Sequence, residues 1–162
     1  MIFLETPSAE EAQKISDVHR QSWHETYDGI LPPEKIEEML VHSEPMQLQH
    51  FRDVAQGKKP EHLLLVARKE GSIVGFCDMK YDGLRGWVKA IYIIKKYQHR
   101  GIGTEMMERF FEWSQFPKEV MASLLLENRP ALRFFEKHGF HADPDIESID
   151  GIKILTLRYI QV

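Results

Sequence analysis

The sequence predicts a single α/β domain in which helices pack on a mixed, partly antiparallel sheet. Segments with helical spacing alternate with short apolar segments typical of strands, in the order β–α–α–β–β–β–α–β–α–β with room for one further strand. The chain of 162 residues is long enough for one domain with a sizeable core, which we place over residues 1–162. Its apolar content of 43% and charged content of 28% are those of an ordinary soluble globular protein.

The first half of the chain predicts a short strand followed by helices. Residues 1–5 form the strand, and a Ser-x-x-Glu capping box begins a helix that spans residues 8–27. An Asp-Gly pair ends this helix, and Pro32-Pro33 begin a second one. Residues 45–56 are predicted as one or two further helical turns.

The second half of the chain changes to the spacing of strands. A Lys-Glu-Gly-Ser turn joins the first two strands as a hairpin, and a long apolar run later in the chain indicates a strand buried on both faces. The predicted elements are strands 63–67, 73–79 and 87–94, helix 101–115, strand 120–126, a helix that Asn128 caps and that ends just before Gly139, and a closing strand 151–160.

Net charge, cysteine content and hydropathy argue against several classes of protein. The net charge of −4 predicts no bulk attraction to nucleic acid or to an anionic membrane. The single cysteine, Cys77, excludes an internal disulfide and fits a reducing compartment. The N-terminus lacks the pattern of a signal peptide, and the apolar runs stay well below the ~18 residues of a bilayer span. We therefore predict a cytoplasmic protein with no nucleic-acid or membrane partner.

The histidines do not show the spacing of a metal site. His19 and His24 are five positions apart, which puts them off a common helical face, and the chain has no second cysteine to join them. The sequence therefore predicts no metal.

A Gly-x-Gly turn between strand 87–94 and helix 101–115 is the strongest functional signal. Gly101 and Gly103 let a ligand approach the backbone closely, where the unpaired N–H groups of a helix start attract phosphate. Cationic and polar side chains stand beside them: Lys95, Lys96, His99 and Arg100. Taken alone, the loop fits an ordinary strand–turn–helix connection equally well.

Two common phosphate-binding loops are excluded. A Rossmann fingerprint requires a third Gly or Ala where this chain has Met106. A Walker loop requires Gly-Lys-Ser/Thr, which the sequence lacks.

Two motifs resemble the GNAT family of N-acetyltransferases. Gln98-His-Arg-Gly-Ile-Gly103 is similar to the acyl-CoA signature Gln/Arg-x-x-Gly-x-Gly/Ala, which follows a strand here as in the family. Residues 128–140 resemble the family element Asn-x-x-Ala-x-x-Phe-Tyr-x-x-x-Gly-Phe. Both occur in the expected order and spacing, and the resemblance is tightest over residues 63–140. It implies a GNAT-like mixed, partly antiparallel sheet with helices on both faces.

The resemblance implies a site for acetyl-CoA as co-substrate. Its pyrophosphate would lie on the backbone amides of residues 98–104, and its pantetheine arm in a V-shaped opening between strands 87–94 and 120–126. The backbone N–H of Ile93 would stabilise the oxyanion. Asn128 would hydrogen-bond the arm, cap its helix, or do both. The residues implied to contact acetyl-CoA are Ile91, Ile93, Gln98, His99, Arg100, Gly101, Ile102, Gly103, Thr104, Asn128 and Phe135.

The side chains that commonly move protons in the family are missing. The usual tyrosine acid falls on Phe135, and the usual carboxylate base falls on Trp87. By location, Asp78, Asp82 and Glu127 are alternative bases, although Asp82 is better explained as a turn former. Otherwise the thiolate leaves without an acid, since a thiol has a pKa of about 8.5, or the domain binds acyl-CoA without turnover.

The resemblance implies that the acceptor binds near residues 22–32. Trp23 and Tyr27 lie four positions apart on one helical face there, which core packing explains equally well. The predicted function is transfer of acetyl from acetyl-CoA to a primary amine, of a small molecule or a peptide, by direct attack. The alternatives are a non-catalytic acyl-CoA-binding or interaction module and a purely structural glycine loop. The resemblance also allows a homodimer.

Overall fold

The structure is a computed structural model that describes residues 1–161. The strands are β1 (Ile2–Glu5), β2 (His62–Lys69), β3 (Ser72–Tyr81), β4 (Gly86–Ile93), β5 (Glu119–Leu125), β6 (His141–Ile149) and β7 (Ile152–Ile160). The α-helices are α1 (Ala12–Tyr27), α2 (Pro33–Ala55), α3 (Ile102–Trp113) and α4 (Arg129–Lys137). Short 3-10 turns lie at Ala9–Glu11 and Lys95–Tyr97.

The strands form one seven-stranded sheet in the order β1-β2-β3-β4-β5-β7-β6. In the described part of the chain, β4 and β5 form the one parallel pair, and the other neighbours are antiparallel. This confirms the predicted mixed, partly antiparallel sheet.

Helices cover both faces of this sheet, as predicted. On β2, Leu64 and Val66 pack in a core with α1 and α2, whereas the alternate residues Leu65 and Ala67 pack in a core with α3. The alternation follows from the two-residue period of a strand. No helix formed by residues 1–161 combines the length and hydrophobicity that crossing a bilayer requires.

Helix α2 is one continuous helix, which corrects the prediction of a second helix followed by a separate short helical segment at residues 45–56. Pro45 lies inside α2, although proline removes a helical hydrogen bond and disfavours the preceding turn. The helix continues because Leu40 before the proline and Phe51 after it are both buried in the core. Pro45 itself is exposed, as is Val41, whose carbonyl loses its helical partner and faces water.

The sequence analysis assigns no residues to strand β6 and only allows for one additional strand. Its residues are almost all exposed, it contains Pro144, and its register with β7 shifts between Ala142 and Ile146. These properties are typical of an edge strand and erase the apolar alternation that predicts strands. The sequence feature that indicates this strand is the Asp150-Gly151 pair, which is typical of a two-residue hairpin turn. In the structure both residues adopt the positive φ that such a turn requires.

Candidate functional site

The central feature of the site is a cleft between β4 and β5. The two strands pair at only three positions, from Gly86 opposite Val120 to Val88 opposite Ala122. A bulge at Lys89 then shifts the register of β4 against β3, and the two parallel strands diverge. The divergence leaves a cleft of about 680 Å³, lined by residues from α1, the end of β4, the glycine loop and α4.

The structure brings the predicted acetyl-CoA residues together at this cleft. Ten of the eleven line it, and the exception is Arg100, whose guanidinium lies 5.5 Å from the centre of the Tyr97 ring. Lys95 and Lys137 add positive charge to the lining. The V-shaped opening that the family resemblance implied is therefore present in the backbone geometry.

Helix α3 begins at the cleft without a side-chain cap. Gly101 is the residue before its first turn and has φ +83°, a left-handed conformation that glycine adopts without strain. No side chain of residues 1–161 bonds to this helix start, so its first-turn N–H groups remain available to a ligand. Gly103 is needed for packing, because a Cβ there would lie 2.9 Å from the Phe134 ring.

The backbone of Ile93 is oriented towards the cleft. The N–H of the next residue, Ile94, bonds to Val74 on β3, and successive residues of a strand point their backbone groups to opposite sides. On the cleft side, the carbonyl of Ile93 accepts a hydrogen bond of 2.9 Å from the Gln98 side chain. The N–H of Ile93 therefore faces the same side, next to the glycine loop.

Asn128 joins the cleft to α1. Its Oδ1 accepts from the N–H of Ala131 at 3.3 Å and caps α4, while its Nδ2 donates to the Tyr27 hydroxyl at 3.2 Å. Tyr27 does not line the cleft and contacts it through this bond. Burial raises the pKa of Tyr27 well above its usual value, so its hydroxyl remains neutral.

The other predicted acceptor residue, Trp23, also lies outside the cleft. It lines a separate hollow of about 340 Å³ between α1 and α2, and its Nε1 donates to the Tyr92 hydroxyl at 3.1 Å. Helix α1 instead presents Ser22, Glu25 and Thr26 to the cleft. Their i, i+3, i+4 spacing was the signal that the sequence offered for a polar face, but it gave no reason to prefer that face over the aromatic one.

The buried hydroxyl of Ser22 is the one described side-chain group with neither solvent nor a hydrogen-bond partner. A buried polar group without a partner costs free energy. Its position in the cleft wall is compatible with a bond to a bound molecule.

The candidate bases occupy different environments. Glu127 lines the cleft beside Asn128. Asp78 does not line it: the side chain is buried, and its carboxylate accepts hydrogen bonds from His50 and His62. The Asp82 carboxylate accepts from two backbone N–H groups of its own turn, which agrees with its expected role as a turn former.

Phe135 and Trp87 stand at the positions where the family resemblance implies the acid and the base. Phe135 is 4% exposed, lines the cleft and packs against the rings of Phe134 and Phe140. Trp87 pairs with Met121 where β4 and β5 are still joined, and Lys80 Nζ lies 5.4 Å from the centre of the Trp87 ring. Neither side chain can transfer a proton.

His19 on α1 gives a pH-dependent prediction. Burial lowers its pKa from 6.5 to about 4. The unfolded chain therefore binds a proton between these values that the folded chain does not, and stability falls as the pH drops through this window. Between pH 7 and pH 5, we expect this residue to remove about 2 kcal/mol from the free energy of unfolding.

Urea unfolding at both pH values, compared between the native chain and His19→Leu, measures this contribution. The variant should lose about 2 kcal/mol less on acidification, whereas His42→Leu at an exposed position of α2 should behave like the native chain. Equal losses in the native chain and His19→Leu would show that His19 is not buried in its neutral form.

Comparisons with known proteins agree with this geometry. Residues 60–142 match the family model described as acetyltransferase (GNAT) domain. The chain is 21% identical over 168 residues to the uncharacterized N-acetyltransferase YuaI of Bacillus subtilis, covering 100% of the chain and 91% of that protein. It is 24% identical over 147 residues to spermidine N(1)-acetyltransferase of Thermoplasma acidophilum, covering 89% and 88%.

Solved structures share the fold over the whole length. The PaiA N-acetyltransferase of Thermoplasma acidophilum, in complex with coenzyme A, superposes with a TM-score of 0.82 at 21% identity, covering 99% of both chains. The apo form of YjaB from Escherichia coli superposes with a TM-score of 0.70 at 23% identity, covering 100% of this chain and 99% of that one.

Proposed function

Because the chain belongs to the GNAT family of acetyltransferases, we propose that the cleft between β4 and β5 binds acetyl-CoA and that a primary amine attacks the acetyl group directly. The observation that carries this proposal is the uncapped start of α3 at the mouth of two diverging parallel strands. The first-turn amides would hold the pyrophosphate, with Lys95 and Lys137 adding positive charge at the rim. A protein with the same fold is known in complex with coenzyme A, which supports coenzyme A as the class of ligand.

The backbone supplies the main catalytic contribution in this proposal. When bound, acetyl-CoA presents a thioester carbonyl, and the N–H of Ile93 would stabilise the negative charge that forms on its oxygen during attack. Glu127, which lines the cleft, would accept the proton of the attacking amine, directly or through water. The departing thiolate needs little assistance, since a thiol has a pKa of about 8.5.

We propose a cationic amine of the polyamine class as the first acceptor to test, among small-molecule and peptide amines. Two carboxylates, Glu25 and Glu127, line the cleft and would attract positive charge. The relative that is named as a spermidine acetyltransferase supports the same class.

A thiol-release assay with acetyl-CoA tests the proposed function. Spermidine, an amino sugar and a lysine peptide are supplied in turn, and free thiol is measured against a reaction without acceptor. At least one amine should accelerate release. Saturable binding of acetyl-CoA without release by any amine class would instead favour a non-catalytic acyl-CoA-binding module.

Asn128 has two roles in this proposal that variants can separate. Asn128→Ala removes both the cap oxygen and the amide donor, whereas Asn128→Ser keeps a capping oxygen without the amide. We expect both variants to bind CoA about fivefold more weakly, the equivalent of one lost hydrogen bond. Both also lose the bond to the Tyr27 hydroxyl, so the cap appears as a stability about 1 kcal/mol lower in Asn128→Ala than in Asn128→Ser. Calorimetric titration and urea unfolding measure the two effects. Unchanged affinity in both variants would leave Asn128 as a cap only.

Phe135→Tyr restores the hydroxyl at the usual position of the general acid. CoA affinity should stay unchanged, and kcat should rise by about tenfold, below the full range for acid catalysis because the thiolate already leaves readily. Phe134→Tyr, the matched control, adds a hydroxyl to the neighbouring ring of the cleft and should not raise kcat. Loss of CoA affinity in Phe135→Tyr would show that residue 135 does not lie beside the reacting thioester.

A further inference from the structure

Two histidines and one aspartate from three separate elements meet outside the cleft. Nε2 of His50 on α2 lies 2.7 Å from Oδ2 of Asp78 on β3, and Nδ1 of His62 at the start of β2 lies 2.8 Å from Oδ1. Their ligand atoms all lie within 4.8 Å of one another. We propose that His50, His62 and Asp78 bind one divalent transition-metal ion of the zinc class.

The three side chains need a local adjustment to hold such an ion. Zinc bonds of about 2.0–2.1 Å in a tetrahedral site separate neighbouring ligand atoms by roughly 3.3 Å. The present nitrogen–oxygen distances of 2.7 and 2.8 Å would open by about half an ångström. The other separations, all within 4.8 Å, would close by at most about 1.5 Å. Both imidazoles turn a nitrogen towards the same carboxylate, and their ring centres lie 4.6 Å apart with 73° between the ring planes.

The ligand set selects among metals. Two imidazoles and one carboxylate suit zinc, cobalt, nickel and ferrous iron, whereas magnesium and calcium prefer oxygen ligands throughout. With three protein ligands, a fourth position stays open to water. An ion can reach the site from the side of His50, whose side chain is 20% exposed. The side chains of His62 and Asp78 are 10% and 8% exposed.

The partners of Asp78 differ from those of a structural ion pair. Within residues 1–161, the hydrogen-bond donors to its carboxylate are the two imidazoles, whereas the carboxylate of Glu11 is held in an ion pair by the guanidinium of Arg68. Both oxygens of this buried carboxylate therefore contact nitrogen atoms that can themselves ligate a metal.

Lys59 competes with the ion for His50. Its Nζ lies 2.8 Å from Nδ1 of His50, so that nitrogen accepts a hydrogen bond and Nε2 carries the proton that it donates to Asp78. Metal binding at Nε2 moves the proton to Nδ1, which then needs an acceptor instead of an ammonium group. Lys59 is half-buried, and its ammonium group would have to turn away from His50 for the ion to bind. Replacing it with an acceptor should therefore strengthen binding.

Titration of Co²⁺ and Zn²⁺ into tag-free, chelator-treated protein tests this proposal without any measurement of acetyl transfer. Co²⁺ should produce the visible absorption of a low-coordinate site, Zn²⁺ should displace it at one ion per chain, and Zn²⁺ should raise the melting temperature. Asp78→Asn should weaken Zn²⁺ binding at least 100-fold, and Lys59→Glu should tighten it about 10-fold. His42→Ala, which removes an exposed histidine of α2, should change nothing.

Two results would overturn the proposal. One is Zn²⁺ affinity that is unchanged in Asp78→Asn, or lost in His42→Ala, since either would place the ion elsewhere on the surface. The other is the absence of both the Co²⁺ absorption and a Zn²⁺-dependent thermal shift in the folded native chain, which would leave a hydrogen-bonded cluster only. If Asp78→Asn does not fold, His62→Gln serves as the ligand variant, and the same outcomes are read from it.

Discussion

Gly101→Asp is expected to weaken acetyl-CoA binding about 100-fold, whereas Gly101→Asn should retain most of the affinity. Gly101 lines the cleft directly before α3, and a Cβ at this position would meet no atom within 4 Å. Both replacements tolerate its φ of +83° better than other residues do, so they differ mainly by one negative charge. That charge at about 5 Å from a pyrophosphate, with an effective dielectric constant of about 20, costs about 3 kcal/mol, or roughly 100-fold in affinity.

The stabilities of the two variants show whether unfolding, and not charge repulsion, causes the loss of affinity. Aspartate before the first turn of a helix stabilises it, so Gly101→Asp should unfold at least as late as Gly101→Asn. Calorimetric titration measures binding, and urea unfolding measures stability. Salt at 1 M should narrow the difference in affinity, because the repulsion is screened. Equal affinity of the two variants would show that no phosphate lies at the start of α3.

Gly86→Ala is expected to destabilise the fold by about 2–3 kcal/mol. Gly86 lies where β4 and β5 still pair, and an added Cβ would lie 2.7 Å from Cζ of Phe110, whose ring is fully buried. The lower chain entropy of alanine in the unfolded state offsets less than about 1 kcal/mol of this cost.

A double-mutant cycle with Phe110→Leu identifies the clash as the cause. Phe110→Leu removes the atom that the new Cβ would strike and is itself destabilising, because it leaves a cavity. The double variant should lose less stability than the sum of the single variants, with a coupling of at least about 1 kcal/mol. Urea unfolding of the four proteins gives this coupling. Additive losses would mean that the backbone of β4 moves instead of meeting Phe110.

The sequence predicts those parts of the cleft that are formed by turns and helix starts. The order of elements, the start of α3 and the glycine loop follow from turn residues and apolar periods, and the two motifs around Gly101 and Asn128 fix the positions of the loop and of α4. Ten of the eleven predicted acetyl-CoA residues line one cleft because they belong to these locally specified segments. The divergence of β4 and β5 depends on a bulge at Lys89 and had to come from the family resemblance.

Tertiary packing decided what could not be predicted. Trp23 and Ser22 are adjacent in sequence and equally plausible on an inward face, yet only Ser22 reaches the cleft. Residues 45–56 were predicted as one or two further helical turns, but buried residues on both sides of Pro45 make them part of one continuous α2. His50, His62 and Asp78 come from three elements, so no spacing along the chain indicated their meeting.

Isothermal titration of acetyl-CoA and of free CoA into the native chain tests the central claim that the cleft between β4 and β5 is a coenzyme A site. We predict saturable binding of both ligands at one site per chain with micromolar dissociation constants. The two affinities should be similar, because the proposed contacts with the pyrophosphate and the pantetheine arm are common to both ligands. Absence of binding by either ligand to the folded protein would contradict the account and leave the cleft without its proposed occupant.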